Sequence, residues 1–373
     1  MPAFGRDVAK EGKAAAFPSC SFLCLFHRND IVVDRLTAAD HIDLRARAEP
    51  AELLAGFLQG HGVAIHRKGN NVWAFNRHYD PAKPTILLNS HHDTVKPNTA
   101  YTRDPFSPEI EGDRLYGLGS NDAGASGVSL LAAFLHYYDR SDLKYNLCVA
   151  ITAEEENSGS GGLESIIPDL GPLEFAIVGE PTLMQLAIAE RGLMVIDCTA
   201  HGKAGHAARE EGDNAIYKAM RDIEWFRTYR FPKESNLFGA VKMSVTIISA
   251  GSQHNVVPAQ CRFTVDIRVT DRYTNEEVLE IIREHVQCEV TPRSTRLKPS
   301  SIPPSHPIVQ AGLALGRTTY GSPTTSDQAL LDIPSLKLGV GDSARSHSAD
   351  EFVHLSEIRE GIELYIEMLK AVL

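Results

Sequence analysis

Apolar and polar positions fall into regular patterns only from Glu52 onward. Leu54, Phe57 and Leu58 recur at helical spacing, and Gly60 and Gly62 stop that helix. Apolar runs of strand length follow at 63–66, 85–89, 147–152, 175–178 and 336–340. Several are apolar at consecutive positions, as strands covered on both faces are. Helical patterns alternate with them at 123–138 and 356–373. The second puts Ile358, Ile362, Tyr365, Ile366, Leu369 and Val372 on one stripe. This alternation predicts an α/β fold, a mostly parallel (mixed) sheet with helices on both faces.

The middle reads differently. Long alternating strands at 193–200 and 241–249 flank a helix at 214–229, and a strand at 261–269 leads into a helix at 275–285. The order β-helix-β-β-helix-β predicts a small α+β layer of the split βαβ, ferredoxin-like type, inserted at 183–290. The main domain then comprises 51–182 and 291–373, with 1–50 unassigned. That first segment holds an apolar patch, Ala14 to Phe26, broken by Pro18. It mimics a secretory signal only weakly, since it contains Cys20 and Cys24 and lacks a small-x-small cleavage site. It reads as a poorly ordered or misread start.

Length supports this division, because 373 residues exceed the roughly 250–300 at which one core stops growing. A net charge of −11 argues against nucleic acid and anionic membranes, which select basic surfaces. No apolar run reaches the ~20 residues of a membrane-spanning helix. The six cysteines form no CxxC pair, and Cys148, Cys198, Cys261 and Cys288 sit in strand-like runs. A reducing, cytoplasmic location is the expectation. Fifteen histidines stand out and direct attention to metal ligands.

The predicted strand ends carry the chemistry. The run 85–90 enters His91-His92-Asp93, and 147–152 enters Glu154-Glu155-Glu156. The run 175–179 enters Glu180-Pro181, and 336–341 is followed by Asp342 and His347. Ligands of open α/β sheets bind beyond the carboxyl ends of the strands. Asp122 joins this rim from the glycine-rich turn Gly117-Leu-Gly-Ser-Asn-Asp. Taken singly, each is an ordinary loop or capping residue; together, two imidazoles and several carboxylates without a thiolate suit zinc or a similar divalent ion. A carboxylate beside a ligand carboxylate, as in Glu155-Glu156, can carry a proton to and from the reacting water. No GxSxG elbow occurs. Gly339-Val-Gly341-Asp-Ser-Ala344 spells a dinucleotide fingerprint, but serines and His347 follow it in place of a clear helix.

In order and spelling these motifs resemble the M20-type zinc metallopeptidase and deacylase family, which holds acetylornithine deacetylase, succinyl-diaminopimelate desuccinylase, aminoacylases and glutamate carboxypeptidases. The resemblance runs from about Gly60 to Leu373. It implies two Zn2+ ions, with Co2+ or Mn2+ able to substitute. His91 and Glu180 would serve one ion, Glu156 and His347 the other, and Asp122 would bridge them ahead of a cis peptide to Ala123. Asp93 would orient His91, and Glu155 in Thr152-Ala-Glu-Glu-Glu156 would be the general base. The inserted layer would be a dimerisation or lid domain. Its His206, in Gly202-Lys-Ala-Gly-His206, would reach the partner's site to stabilise an oxyanion. Asn255, Arg268 and Thr325 would face the substrate, Arg268 taking its carboxylate.

Gly179-Glu180-Pro181-Thr182 resembles the acetylornithine deacetylase branch. The expected substrate is therefore an N-acyl amino acid, N-acetylornithine first, in arginine biosynthesis, with N-acetylcitrulline or N-succinylornithine as variants. Succinyl-diaminopimelate desuccinylase and a metal-dependent dipeptidase are the alternatives, and a silent relative acting as a binding module is the alternative of another class. Lys96 before Pro97, Ala125 in place of a frequent lysine, and Thr324-Thr325-Ser326-Asp327 in the substrate loop depart from the family's usual spelling. These departures touch the substrate and leave the metal ligands intact.

Overall fold

The computed structural model describes residues 50–209 and 211–373. The unassigned segment up to residue 49, with Cys20 and Cys24, lies outside the described residues. The strands used below are, in chain order, β1 (Ile65–Lys68), β2 (Asn71–Phe75), β3 (Thr85–His91), β4 (Asn146–Thr152), β5 (Leu173–Val178) and β6 (Leu186–Glu190). Next come β7 (Gly192–His201), β8 (Lys242–Ala250), β9 (Gln260–Val269) and β10 (Glu289–Pro292), then β11 (Ser300–Ser301), β12 (Thr319–Ser322) and β13 (Ser335–Lys337). The helices are α1 (Pro50–Gly60), α2 (Ala125–Tyr137), α3 (Ala215–Thr228), α4 (Asn275–His285), α5 (Pro307–Ala314) and α6 (Leu355–Lys370).

The central sheet runs β1-β2-β4-β3-β5-β13-β6-β11, with β12 also paired to β6. Its middle, β4-β3-β5-β13, is parallel throughout. Every residue of β3 and β4 is buried, as their unbroken apolar runs require. Period-two alternation sends Ile86, Leu88, Leu147, Val149, Phe175 and Ile177 to one face, where α1, α2, α5 and α6 pack. Leu87, Cys148, Ala150, Ala176 and Val178 meet Leu163, Ile166 and Leu170 on the other. That second face is covered by short helical turns, Leu163–Ile166 and Ile167–Asp169.

The inserted layer is an antiparallel sheet, β8-β9-β7-β10, with its own core. Ala215, Ala219 and Phe226 of α3 and Val278 and Ile282 of α4 pack against Met194, Ile196, Phe263, Val265 and Ile267. Thr274 and Glu277 form a reciprocal capping box, which fixes the start of α4 at Asn275. The boundaries differ from those expected at 183–290. β6 lies inside that range yet pairs with β13, β12 and β11 of the central sheet. Burial shows why: β6 is buried at every position, whereas strict alternation begins at Gly192. β10 likewise carries the insertion on to Pro292.

Candidate metal centre

The rim residues converge. His91 ends β3, Glu155 and Glu156 follow β4, and Glu180 follows β5. Parallel pairing with staggered neighbours brings these ends together. A small sheet of Glu109–Glu111, Arg114–Tyr116 and Phe352–His354 fastens the chain after His347 to the hairpin before the Asp122 turn.

Two donor sets result, His91–Asp122–Glu180 and Asp122–Glu156–His347, each with its ligand atoms within 4.8 Å of one another. Asp122 belongs to both. Its Oδ1 lies 3.4 Å from His91 Nε2 and its Oδ2 3.6 Å from His347 Nε2. Glu180 Oε1 stands 3.6 Å from His91 Nε2, and His347 Nε2 stands 3.1 Å from Glu156 Oε2. The peptide after Asp122 is cis.

Hydrogen bonding sets the imidazole for a ligand role. His91 Nδ1 donates to the Asp93 carbonyl at 3.0 Å, which leaves Nε2 as the ring atom turned toward Asp122 and Glu180. Asp93 also accepts from the Glu155 and Glu156 amides, both at 3.2 Å, and so ties the acidic turn to His91. Glu351, buried, does the same for the Asp122 turn, accepting from the amides of Gly119, Asn121 and Asp122. Glu351 was assigned no role from sequence, although it stands four residues after His347. His92 faces away, its Nε2 2.8 Å from the Asn70 carbonyl.

The fit to divalent ions rests on two features of these residues. His91 Nε2 and Glu180 Oε1 are buried without a hydrogen-bond partner. Buried carboxylates also outnumber cations here, which costs several kcal/mol per uncompensated charge. The titration pattern follows. Burial pushes Glu180 up to about 8, against the pull of His91. Burial, then the Glu180 carboxylate, pushes Glu155 well up. Burial alone would lower His91, yet Asp122 and Asp93 raise it well above the ordinary imidazole range. The Glu156 carboxylate holds His347 up at about 9. Positive charge in the two donor sets reverses this logic, drawing the carboxylates to their ionised forms.

The residues expected to face the substrate divide into two groups. Arg268 Nη1 reaches Thr325 Oγ1 at 3.5 Å, so β9 of the insertion meets the 322–327 turn of the main domain. Arg268 is also paired with Asp266 at 2.8 Å. His206 and Asn255 sit together on the short ladder Gly205–His206 with Val256–Val257, where the Asn255 carbonyl accepts from Ala207. Both are exposed, and among the described residues no hydrogen bond joins either to the metal centre. The glycines of the dinucleotide-like spelling serve close approach. A Cβ on Gly339 would meet the Glu180 carbonyl at 2.3 Å, and Gly341 has φ +94° beside Asn121.

Comparison with known proteins agrees with this geometry. The model of peptidase family M20/M25/M40 matches residues 87–371. A protein named succinyl-diaminopimelate desuccinylase 2 from Ruegeria sp. is 28% identical over 64% of this chain and 64% of its own length. A succinyl-diaminopimelate desuccinylase from Gluconobacter oxydans is 28% identical over 62% of this chain and 66% of its own. The chain thus spans just under two thirds of the length of these relatives. A peptidase M20 domain-containing protein of Schizosaccharomyces pombe is 27% identical over 86% of this chain and 78% of its own length. In fold, the chain resembles the aminopeptidase PepT of Bacillus cereus, with TM-score 0.70, 17% identity, and 87% and 93% of the two chains covered. The Bacillus subtilis YXEP protein, titled a dinuclear metal-binding peptidase, gives TM-score 0.64 at 15% identity over 86% and 91%.

Proposed function

The chain belongs to the M20/M25/M40 peptidase family, and on that premise we propose that it hydrolyses the amide of an N-acyl amino acid whose acyl group is a dicarboxylic acid. The carrying observation is the pair of donor sets that share Asp122, with Glu155 beside them. Sequence motifs favoured N-acetylornithine and arginine biosynthesis. The relatives compared above include proteins named succinyl-diaminopimelate desuccinylase and none named acetylornithine deacetylase. The substrate proposed first is therefore N-succinyl-diaminopimelate or a similar succinyl amino acid.

A second guanidinium supports the extra carboxylate. Arg191 is buried, donates to the carbonyls of Phe238 and Ala240, and has no carboxylate partner among the described residues. Burial, then nearby Arg268, lowers its affinity for its proton. Two neighbouring cations, of which only Arg268 is paired with an acid, Asp266, suit a second anionic group.

His91, Asp122 and Glu180 would hold one ion, and Asp122, Glu156 and His347 the other. Imidazole with carboxylate suits zinc, with cobalt or manganese as substitutes. When bound, the ions polarise the amide carbonyl and acidify water. Glu155 takes the proton of the attacking water and returns it to the leaving amine. Asp93 fixes the direction of His91 and of the acidic turn. Arg268 and Thr325 orient the substrate before reaction. The exposed His206 and Asn255 are read as serving the site of a second copy in a homodimer joined through the insertion, His206 stabilising the oxyanion. Among the described residues no helix is long and apolar enough to cross a membrane. The free thiols of Cys148, Cys198, Cys261 and Cys288 fit a reducing compartment such as the cytoplasm.

Amine release by zinc-loaded protein tests the reading on N-succinyl-diaminopimelate, N-succinylornithine, N-acetylornithine, N-acetylcitrulline and a dipeptide. Faster turnover of the succinyl compounds is expected. Exclusive turnover of acetyl compounds or of the dipeptide would overturn the acyl assignment, and silence on all would overturn the reaction class.

Ion uptake carries a pH signature. His347 must lose its proton to bind a metal, and Glu156 holds that proton to about 9. Affinity at this set should therefore rise with pH about tenfold per unit and level off above pH 9. Calorimetry in two buffers checks it: uptake at pH 7 should release at least one proton. For the dimer, mixing the inactive variants His206→Ala and Glu155→Gln should regain part of the activity; failure despite proven subunit exchange counts against a shared site.

A further inference from the structure

Lys337 ends β13, is only 4% exposed, and takes no part in the reaction described above. Its Nζ donates to Thr324 Oγ1 at 3.1 Å and stands 3.4 Å from Glu190 Oε2. Glu190 ends β6, is fully buried, and grips the 324–327 turn after β12 twice: Oε1 accepts from the Ser326 amide at 3.0 Å and Oε2 from Ser326 Oγ at 2.8 Å. The same turn holds Thr325, whose hydroxyl donates to the Arg191 carbonyl and accepts from Arg268. It also holds Asp327, which accepts from Thr152 Oγ1 at 2.9 Å at the end of β4. The buried ion pair thus joins the tips of two adjacent strands to both sides of one turn.

A buried ion pair contributes little net stability, so its value lies in fixing geometry. Here the fixed object is the 324–327 turn, which presents Thr325 to the arginine facing the substrate. We propose that Lys337 and Glu190 are positioning residues that hold this turn, and through Thr325 and Arg268 set the affinity for a carboxylate-bearing substrate. The part concerning the substrate rests on the function proposed above; the part concerning the turn does not.

Two measurements separate these parts. Amide hydrogen exchange, read by mass spectrometry on the zinc-loaded protein, follows the turn without reference to activity. Lys337→Met should speed exchange of peptide 322–328 at least tenfold and leave the peptide of β3 unchanged. Because that variant strands the Glu190 charge, the neutral pair Glu190→Gln/Lys337→Met is measured beside it. It strands neither charge of the pair and still lacks the Lys337–Thr324 bond. The same local acceleration is expected in the pair, and native exchange of the turn in the pair would overturn the clamp. Kinetics on the succinyl substrate should show KM raised about tenfold or more with kcat within about threefold and both ions retained. A fall in kcat at constant KM would overturn the link to substrate affinity. Should no panel compound be turned over by the parent protein, the reaction class fails, while the exchange result still decides the clamp.

Discussion

Glu155→Gln should lower kcat by about 10²–10⁴-fold, the range that a positioned acid–base group supplies, while the protein still takes up two divalent ions. Glu155 Oε2 lies 3.9 Å from His91 Nε2 and belongs to neither donor set. Gln preserves its volume and the hydrogen bond from the backbone N–H of residue 155 to Asp93 Oδ1, and removes only the capacity to carry a proton. Burial, then Glu180, raises the carboxyl's affinity for a proton. Bound cations lower it again, which leaves a group able both to accept and to return a proton. The check is kcat beside metal content by elemental analysis on the same sample. Substantial residual turnover would place the base elsewhere, with Asp327 the next buried carboxylate to test: burial lifts it to about 6.

Asp122→Ala should abolish activity by another route, loss of the ions themselves. Its two oxygens are divided between His91 at 3.4 Å and His347 at 3.6 Å, so one deletion leaves each donor set with two ligands. Stoichiometry should fall from two ions to fewer than one at micromolar metal. The stabilisation that ligand binding lends the folded state, about 2.7 kcal/mol at a hundred times Kd, should vanish from the melting curve. Full two-ion occupancy in Asp122→Ala would remove the bridging role. Together the variants separate chemistry from assembly: one keeps metal and loses turnover, the other loses both.

Much of this was legible before the fold was known, for identifiable reasons. β3 and β4 are continuous apolar runs because both faces are covered, and such runs show plainly in sequence. α4 carries its own start signal in Thr274 and Glu277. Most residues of the donor sets stand at or soon after strand ends or in the glycine-rich turn, so one rule about carboxyl ends points to them; His347 lies ten residues past Lys337, beyond the short helical turn Ser343–Arg345. β2 had no such signal. Its run Asn71–Phe75 is short, and its place is fixed by pairing with β1 and β4. β6 falls inside the range 183–290 expected for the insertion, and only its pairing with β13 and β12 places it in the central sheet.

The supporting carboxylates were hidden for a related reason. Glu351, Asp327 and Glu190 look like ordinary acidic residues in loops or at strand ends, and each acquires its role from partners more than 130 positions away. Lys337 stands inside the run 336–340 and carries no signal of its own; tertiary contact with Glu190 makes it a buried cation.

By itself, then, the sequence determined the alternation of strands and helices and the placing of candidate ligands near strand ends, because each rests on local pattern and short spacing. Tertiary structure alone decided that β6 belongs to the central sheet and that Arg268 meets Thr325. Those relations depend on which distant segments share a rim, and no periodicity along a chain encodes that directly.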